Sequence, residues 1–292
     1  MYEFKVQEKK RIRVILDTDA ACEADDQYAI VHALLTPRFI IKGIIAEQFR
    51  AEGSVDESCS EILKLCNMMG KRDIPVVNGY DTCIASVDAE PESEGADLII
   101  DEAMKDDEHP LFVLCQGAIT NVAIALNVAP EIAGRFTCIW IGGAAYPEGG
   151  WEFNLTNDVN AARKVFSSDI ELWQVPMDCY TQMQIGYAEL QRKVRPCGEL
   201  GRYLFDEMQE VGMKEDWPTG ESWALGDSPA IGLALNLGCG SYTVMDAPML
   251  DDKGFYTGHY DHKIRVYNRI DSRYILEDFF AKLAIWAENN ER

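Results

Sequence analysis

Short apolar runs rich in β-branched residues alternate along this chain with longer segments of helical periodicity. The apolar runs fall at 13–16, 40–46, 74–77, 111–115, 137–141 and 172–175, and each predicts a buried strand. Helical patterns cover 25–35, 54–69, 96–103, 120–126 and 160–166, and return at 229–235 and 275–287. Strand and helix alternating at this spacing predict an α/β fold, a mostly parallel central sheet with helices on both faces. Residues 188–222 are more polar and helical, and are expected to form a lid packed over the site. No Pro/Gly/Ser linker, low-complexity tract or internal repeat divides the chain, so residues 1–292 read as one domain with insertions.

One segment carries most of the chemistry. Asp17-Thr-Asp19-Ala-Ala-Cys-Glu23-Ala-Asp25-Asp26 follows the apolar run Val14-Ile15-Leu16 and precedes a helical pattern. A buried strand therefore ends in five carboxylates just before a helix begins. Mutual repulsion makes this costly unless a cation binds, protons are shared, or the helix N-terminus screens the charge. Donors that are all oxygen suit calcium or magnesium better than zinc. The plain alternative is a solvated acidic loop with one aspartate capping the helix. Ligands of parallel sheets bind beyond the carboxyl ends of the strands, and that position favours a metal site.

Composition narrows the partners. The 292 residues could form two domains, but single α/β domains commonly reach this size, and 47% hydrophobic content supplies a large core. A formal charge of −22 repels phosphate backbones and anionic lipid, which argues against nucleic acid or membrane surfaces as partners. No apolar stretch is long enough to span a membrane, and the first residues lack the apolar core of a signal peptide, so a cytoplasmic protein is expected. The nine cysteines are scattered, odd in number and without a C-x-x-C pair. They read as free thiols in a reducing compartment, with neither zinc knuckle nor dithiol centre. Cys22 lies inside the acidic loop, where neighbouring carboxylates raise its pKa and argue against a thiolate nucleophile.

Four segments in order resemble the inosine/uridine-preferring nucleoside hydrolases. That family's first strand ends in D-x-D-P-G-x-D-D; this chain keeps the flanking aspartates but has two extra residues and lacks the Pro-Gly. Leu114-Cys-Gln-Gly117-Ala-Ile-Thr120-Asn121 resembles G-P-L-T-N. Gly142-Gly143-Ala144, followed by Glu152-Phe153-Asn154, resembles the M-G-G-A and E-F-N pair. Leu225-Gly226-Asp227 resembles the late segment with the last metal aspartate. The resemblance implies a calcium ion held by Asp19, Asp26, Asp227 and the backbone carbonyl of Thr120. It implies that Asp25 and Asn154 hold ribose hydroxyls with Glu152 nearby, and that the protein is a homo-oligomer, a dimer or tetramer. Asp17 then supports the ligands from behind or caps the helix.

The chain departs from the family where the leaving base is protonated. A histidine precedes the last metal aspartate in the best-known members, and Gly226 stands here. The family's early Gly-Asn pair is replaced by Glu47-Gln48 and Arg50-Ala-Glu52-Gly53. Of the four histidines, His32 falls two turns into a helix, His109 in an acidic turn, and His259 and His262 in an aromatic, glycine-containing loop. His259 is the histidine best placed to fold over a planar base as general acid. Trp223 could stack on the base or belong to the core, and Trp151 has a similar claim.

These residues predict hydrolysis of the N-glycosidic bond of a ribonucleoside. Asp19 would take the proton of a water that the ion acidifies, and carboxylates would stabilise an oxocarbenium-like ribosyl group. One competitor is a catalytically weak nucleoside- or ribose-binding protein, suggested by Gly226. The other is an aspartate-dependent phosphatase. It would need a cation for phosphate, and no lysine or arginine lies between Arg13 and Arg38.

Overall fold

The computed structural model describes residues 2–216 and 218–290. Its strands are β1 (Ile12–Thr18), β2 (Phe39–Ala46), β3 (Val76–Asn78), β4 (Leu111–Cys115), β5 (Phe136–Ile141), β6 (Glu171–Val175), β7 (Gln184–Gly186), β8 (Ser222–Ala224), β9 (Gly240–Leu250) and β10 (Tyr256–Ile270). The helices are α1 (Asp26–Leu34), α2 (Ser54–Met68), α3 (Glu94–Met104), α4 (Thr120–Val128), α5 (Phe153–Asn157), α6 (Val159–Phe166), α7 (Met177–Tyr180), α8 (Tyr187–Lys193), α9 (Gly198–Lys214), α10 (Ser228–Leu235) and α11 (Ser272–Asn290).

Eight strands form one sheet in the order β3-β2-β1-β4-β5-β6-β10-β9. Every neighbouring pair is parallel except β10 with β9. The expected α/β architecture is present. All seven residues of β1 are buried, and their side chains alternate between two cores. Val14 and Leu16 join α1, α2, α9, α10 and α11 on one face. Ile15 joins α3, α4 and α6 on the other. A strand covered on both faces has no polar side to show, which is why the run Val14-Ile15-Leu16 is unbroken.

Two features differ from the expectation. Residues 254–262 were expected as a loop but mostly belong to β10, which pairs antiparallel with β9 at the sheet edge. Much of this hairpin is exposed, so its sequence mixes His, Asp, Lys and Tyr without a continuous apolar run. The segment expected to be a helical lid carries α8 and α9, but Leu200, Leu204 and Met208 are buried in the core shared with α1 and α2. The Tyr28 hydroxyl donates to the Leu204 carbonyl at 3.0 Å, and the Tyr203 hydroxyl donates to Glu61. This segment is a fixed flank of the domain.

The carboxyl edge of the sheet is held from behind by Asn121, which is fully buried on α4. Its amide nitrogen donates to Asp17 Oδ1 at 3.0 Å, while its oxygen accepts from the Tyr80 amide at 3.0 Å and the Ser93 hydroxyl at 2.9 Å. Asn121→Ala would leave all three partners unsatisfied. It should lower unfolding stability by about 3 kcal/mol, measured by denaturant titration.

Candidate active site at the carboxyl edge of the sheet

The end of β1 delivers the acidic loop, and short-range bonds fix its shape. The Cys22 amide donates to the Asp19 carbonyl at 2.7 Å, closing a turn. The side-chain nitrogen of Gln27, in the first turn of α1, donates to the Ala20 carbonyl at 2.9 Å and thereby holds the loop down. The Thr18 hydroxyl donates a short bond to Asp26 Oδ1. The Asp227 amide, at the start of α10, donates to Asp25 Oδ2 at 3.2 Å. As a result Asp25, Asp26 and Asp227, all buried, each place an oxygen within 4.8 Å of the others.

Asp19 falls outside this close group and lies beside Glu47. A methyl group built on Gly117 would lie 2.8 Å from Glu47 Oε2 and 2.9 Å from Asp19 Oδ1, so two carboxylates converge where only glycine leaves room. Glu47 lies just past β2, its amide donating to the Thr18 carbonyl at 2.9 Å. Its side chain is fully buried, and neither oxygen has a partner of good hydrogen-bond geometry among the described residues. Asp17, Glu47 and Cys115 form a second group within 4.8 Å, on neighbouring strand ends. Asp17 is turned toward Asn121 and Cys115.

The Glu-Phe-Asn segment forms the opposite wall. Glu152 caps α5 and is fully buried. Its carboxylate accepts from the amides of Gly143 at 2.7 Å, Leu155 at 2.8 Å and Asn154 at 3.2 Å, and from the Tyr180 hydroxyl at 3.0 Å. Gly143 has φ of 89°, and a Cβ there would sit 2.2 Å from Gln174 Nε2. Asn154 donates to the Ile141 carbonyl at 2.9 Å, which leaves its side-chain oxygen for a ligand. Gln116 bridges the two walls: its nitrogen donates to the Asp227 carbonyl at 3.2 Å, and its oxygen is buried without a partner among the described residues. Thr120 opens α4, fully buried, with its hydroxyl on Asp158 at 3.0 Å.

Burial dominates the electrostatics. It pushes Asp26 up to about 6 and Asp17 and Glu23 up to about 7, with Asp26 adding to the shift of Glu23. Asp19, Asp25, Glu47 and Asp227 lie well above the carboxylate range, from burial first and then from the neighbouring carboxylates. Such groups hold protons at neutral pH unless positive charge replaces them. An oxygen-only donor set with an unsatisfied Gln116 oxygen beside it fits a hard divalent cation.

Two of the sequence candidates sit elsewhere. His259 is exposed on β10, paired with Pro248 and facing the charge of Asp246, because the expected loop is a strand. Trp223 on β8 is 1% exposed, enclosed between β7 and α9, so its indole offers no face to a base. Trp151 is exposed. Sequence reasoning did not single out Tyr180 or Gln116, although both follow strand ends at the carboxyl edge, where any polar side chain is a candidate. A groove of about 760 Å³ lined by Leu35, Phe39, Met69, Ile74 and Trp286 lies elsewhere, and its lining includes none of these carboxylates.

The sheet thus gathers buried carboxylates beyond its strand ends, beside a wall in which Glu152 caps α5. Residues 14–272 match the family model described as inosine-uridine preferring nucleoside hydrolase, and the chain belongs to that family. A pyrimidine-specific ribonucleoside hydrolase RihA of Citrobacter koseri is 28% identical over 233 residues, covering 70% of this chain and 73% of its own. The fold matches a purine-preferring ribonucleoside hydrolase from Gardnerella vaginalis with a TM-score of 0.81, at 21% identity, over 95% of this chain and 99% of the other. A plant nucleoside hydrolase, PpNRh1, matches with a TM-score of 0.76, at 18% identity, over 94% and 99%.

The raised carboxylate values set the pH dependence of the cation-free protein. A carboxyl whose folded pKa exceeds its unfolded value stabilises the fold at low pH and loses that contribution as pH rises through the folded pKa. The cation-free melting temperature should therefore fall between pH 5 and 8, the range set by Asp26 at about 6 and Asp17 and Glu23 at about 7. A saturating divalent cation should flatten that slope, as scanning calorimetry can test.

Proposed function

We propose that the protein is a calcium-dependent hydrolase of ribonucleosides, releasing ribose and a free base. The single observation that carries this reading is the convergence of Asp25, Asp26 and Asp227 within 4.8 Å in a chain of this family. Asp26 and Asp227 of that group would hold the ion together with Asp19 and the Thr120 carbonyl, leaving Asp25 for the sugar. When bound, calcium would acidify a water and favour the two cis-hydroxyls of a ribose.

The protein groups then divide the work. Asp19 would accept the proton of the attacking water, its carboxylate kept ionised by the bound cation. Asp25 and the free oxygen of Asn154 accept hydrogen bonds from ribose hydroxyls, and Glu152 braces that wall. As the bond to the base breaks, positive charge grows on the sugar, and the surrounding carboxylates stabilise it without having to reorganise. Nine free cysteines fit a reducing, cytoplasmic setting.

Asp26→Asn should weaken calcium binding in calorimetric titration and nearly abolish ribose release. Full activity after exhaustive chelation, with metal content checked by elemental analysis, would refute the metal requirement. A nucleoside-binding protein without turnover would bind under the same conditions and release no ribose.

The sugar is tested separately. With Asp25 and Asn154 built to accept hydroxyls, 2′-deoxyribonucleosides should react at least ~10²-fold more slowly, because unmatched buried polar groups are costly. Equal efficiency on both sugars would remove Asp25 and Asn154 from that role and leave the metal assignment standing.

A further inference from the structure

Cleavage of a carbon–nitrogen bond to a base leaves an electron pair on the departing nitrogen. Ionised carboxylates favour the positive sugar but offer the base no hydrogen. A donor is needed on the leaving side, and Tyr180 at the end of α7 brings a hydroxyl to the site.

Both ends of this residue are fixed by geometry. A methyl group built on Gly226 would lie 3.1 Å from Tyr180 Cδ2 and 3.4 Å from Asp25 Oδ2. The bare glycine therefore lets the ring in beside the Asp25–Asp227 cluster. At its other end the hydroxyl donates to Glu152 Oε1 at 3.0 Å. The ring thus extends from the carboxylate cluster toward the Glu152–Asn154 wall, and it is only partly buried. Glu152 does not depend on this bond, since the Gly143, Leu155 and Asn154 amides already satisfy it. The hydroxyl can turn to a ligand without stranding a buried charge.

We propose that Tyr180 is a catalytic residue on the leaving-group side, its hydroxyl releasing Glu152 to donate a hydrogen bond to the departing base. The inference rests on the ribonucleoside-hydrolase reading above. In the step, the bond from the anomeric carbon to the base nitrogen breaks and its electron pair moves onto the base. The water oxygen bonds to that carbon, Asp19 takes the water's proton, and the proton passes through solvent to the base. Tyr180 keeps its own proton throughout. Burial, followed by the Glu152, Glu23 and Asp227 carboxylates, holds the phenol far above its ordinary pKa, so it acts as a donor and does not ionise.

The test compares Tyr180→Phe with the wild type on natural ribonucleosides and on a para-nitrophenyl riboside, whose leaving group needs no donor. Loss of one preorganised donor should lower kcat on ribonucleosides roughly 10²–10³-fold with KM little changed. Turnover of the nitrophenyl substrate should be nearly unaffected, which also shows that the variant is folded. An equal loss on both substrates would overturn the proposal and reduce Tyr180 to a brace for Glu152. No loss on either would overturn it as well. A wild type that releases ribose from neither substrate would instead bring down the functional reading, and this proposal with it.

Discussion

Repulsion among buried carboxylates is the constraint on which this structure turns. Asp19, Asp25, Asp26, Glu47, Glu152 and Asp227 are all buried at one edge of the sheet. Desolvation alone would neutralise most of them. The fold answers with fixed donors: Thr18 on Asp26, the Asp227 amide on Asp25, and three amides on Glu152. Glu47 receives none of good geometry. Glu152, with three amides and a hydroxyl, is the most fully satisfied of the six.

The rest of the architecture serves to present that edge. β1 is buried on both faces and cannot shift register without exposing one core or burying polar groups in the other. α1 and α10 begin at the cluster, so the positive ends of two helices point toward it. Asn121 connects Asp17 to the segments around Tyr80 and Ser93, which transmits rigidity from α4 into the floor of the site.

Much of this was legible in the chain because the signals are local. The run Val14-Ile15-Leu16 followed by clustered aspartates announces a strand end and a charged loop in one stretch, and the Glu-Phe-Asn segment reads the same way. Glu47 could be seen but not its orphaned state, which depends on strand β2 lying beside β1. Tyr180 carried only the weak signal of lying past a strand end, since Cys-Tyr-Thr looks like any turn until Gly226 is known to face it. Trp223 was open from sequence, because an indole in Ser-Trp-Ala fits a core or a surface equally well. The β9–β10 hairpin escaped notice because its exposed faces leave no apolar alternation to detect.

The bond from the Asp227 amide to Asp25 joins residues 202 positions apart. During synthesis the first six strands and the acidic loop emerge long before the segment that completes the cluster. Until then the loop carries its charges with one partner missing, in a half-built domain whose local contacts can already form. Closure of the loop must therefore wait for Asp227, which emerges after β1 to β6 and before β9 and β10 complete the sheet. The site can close only once most of the chain has been made.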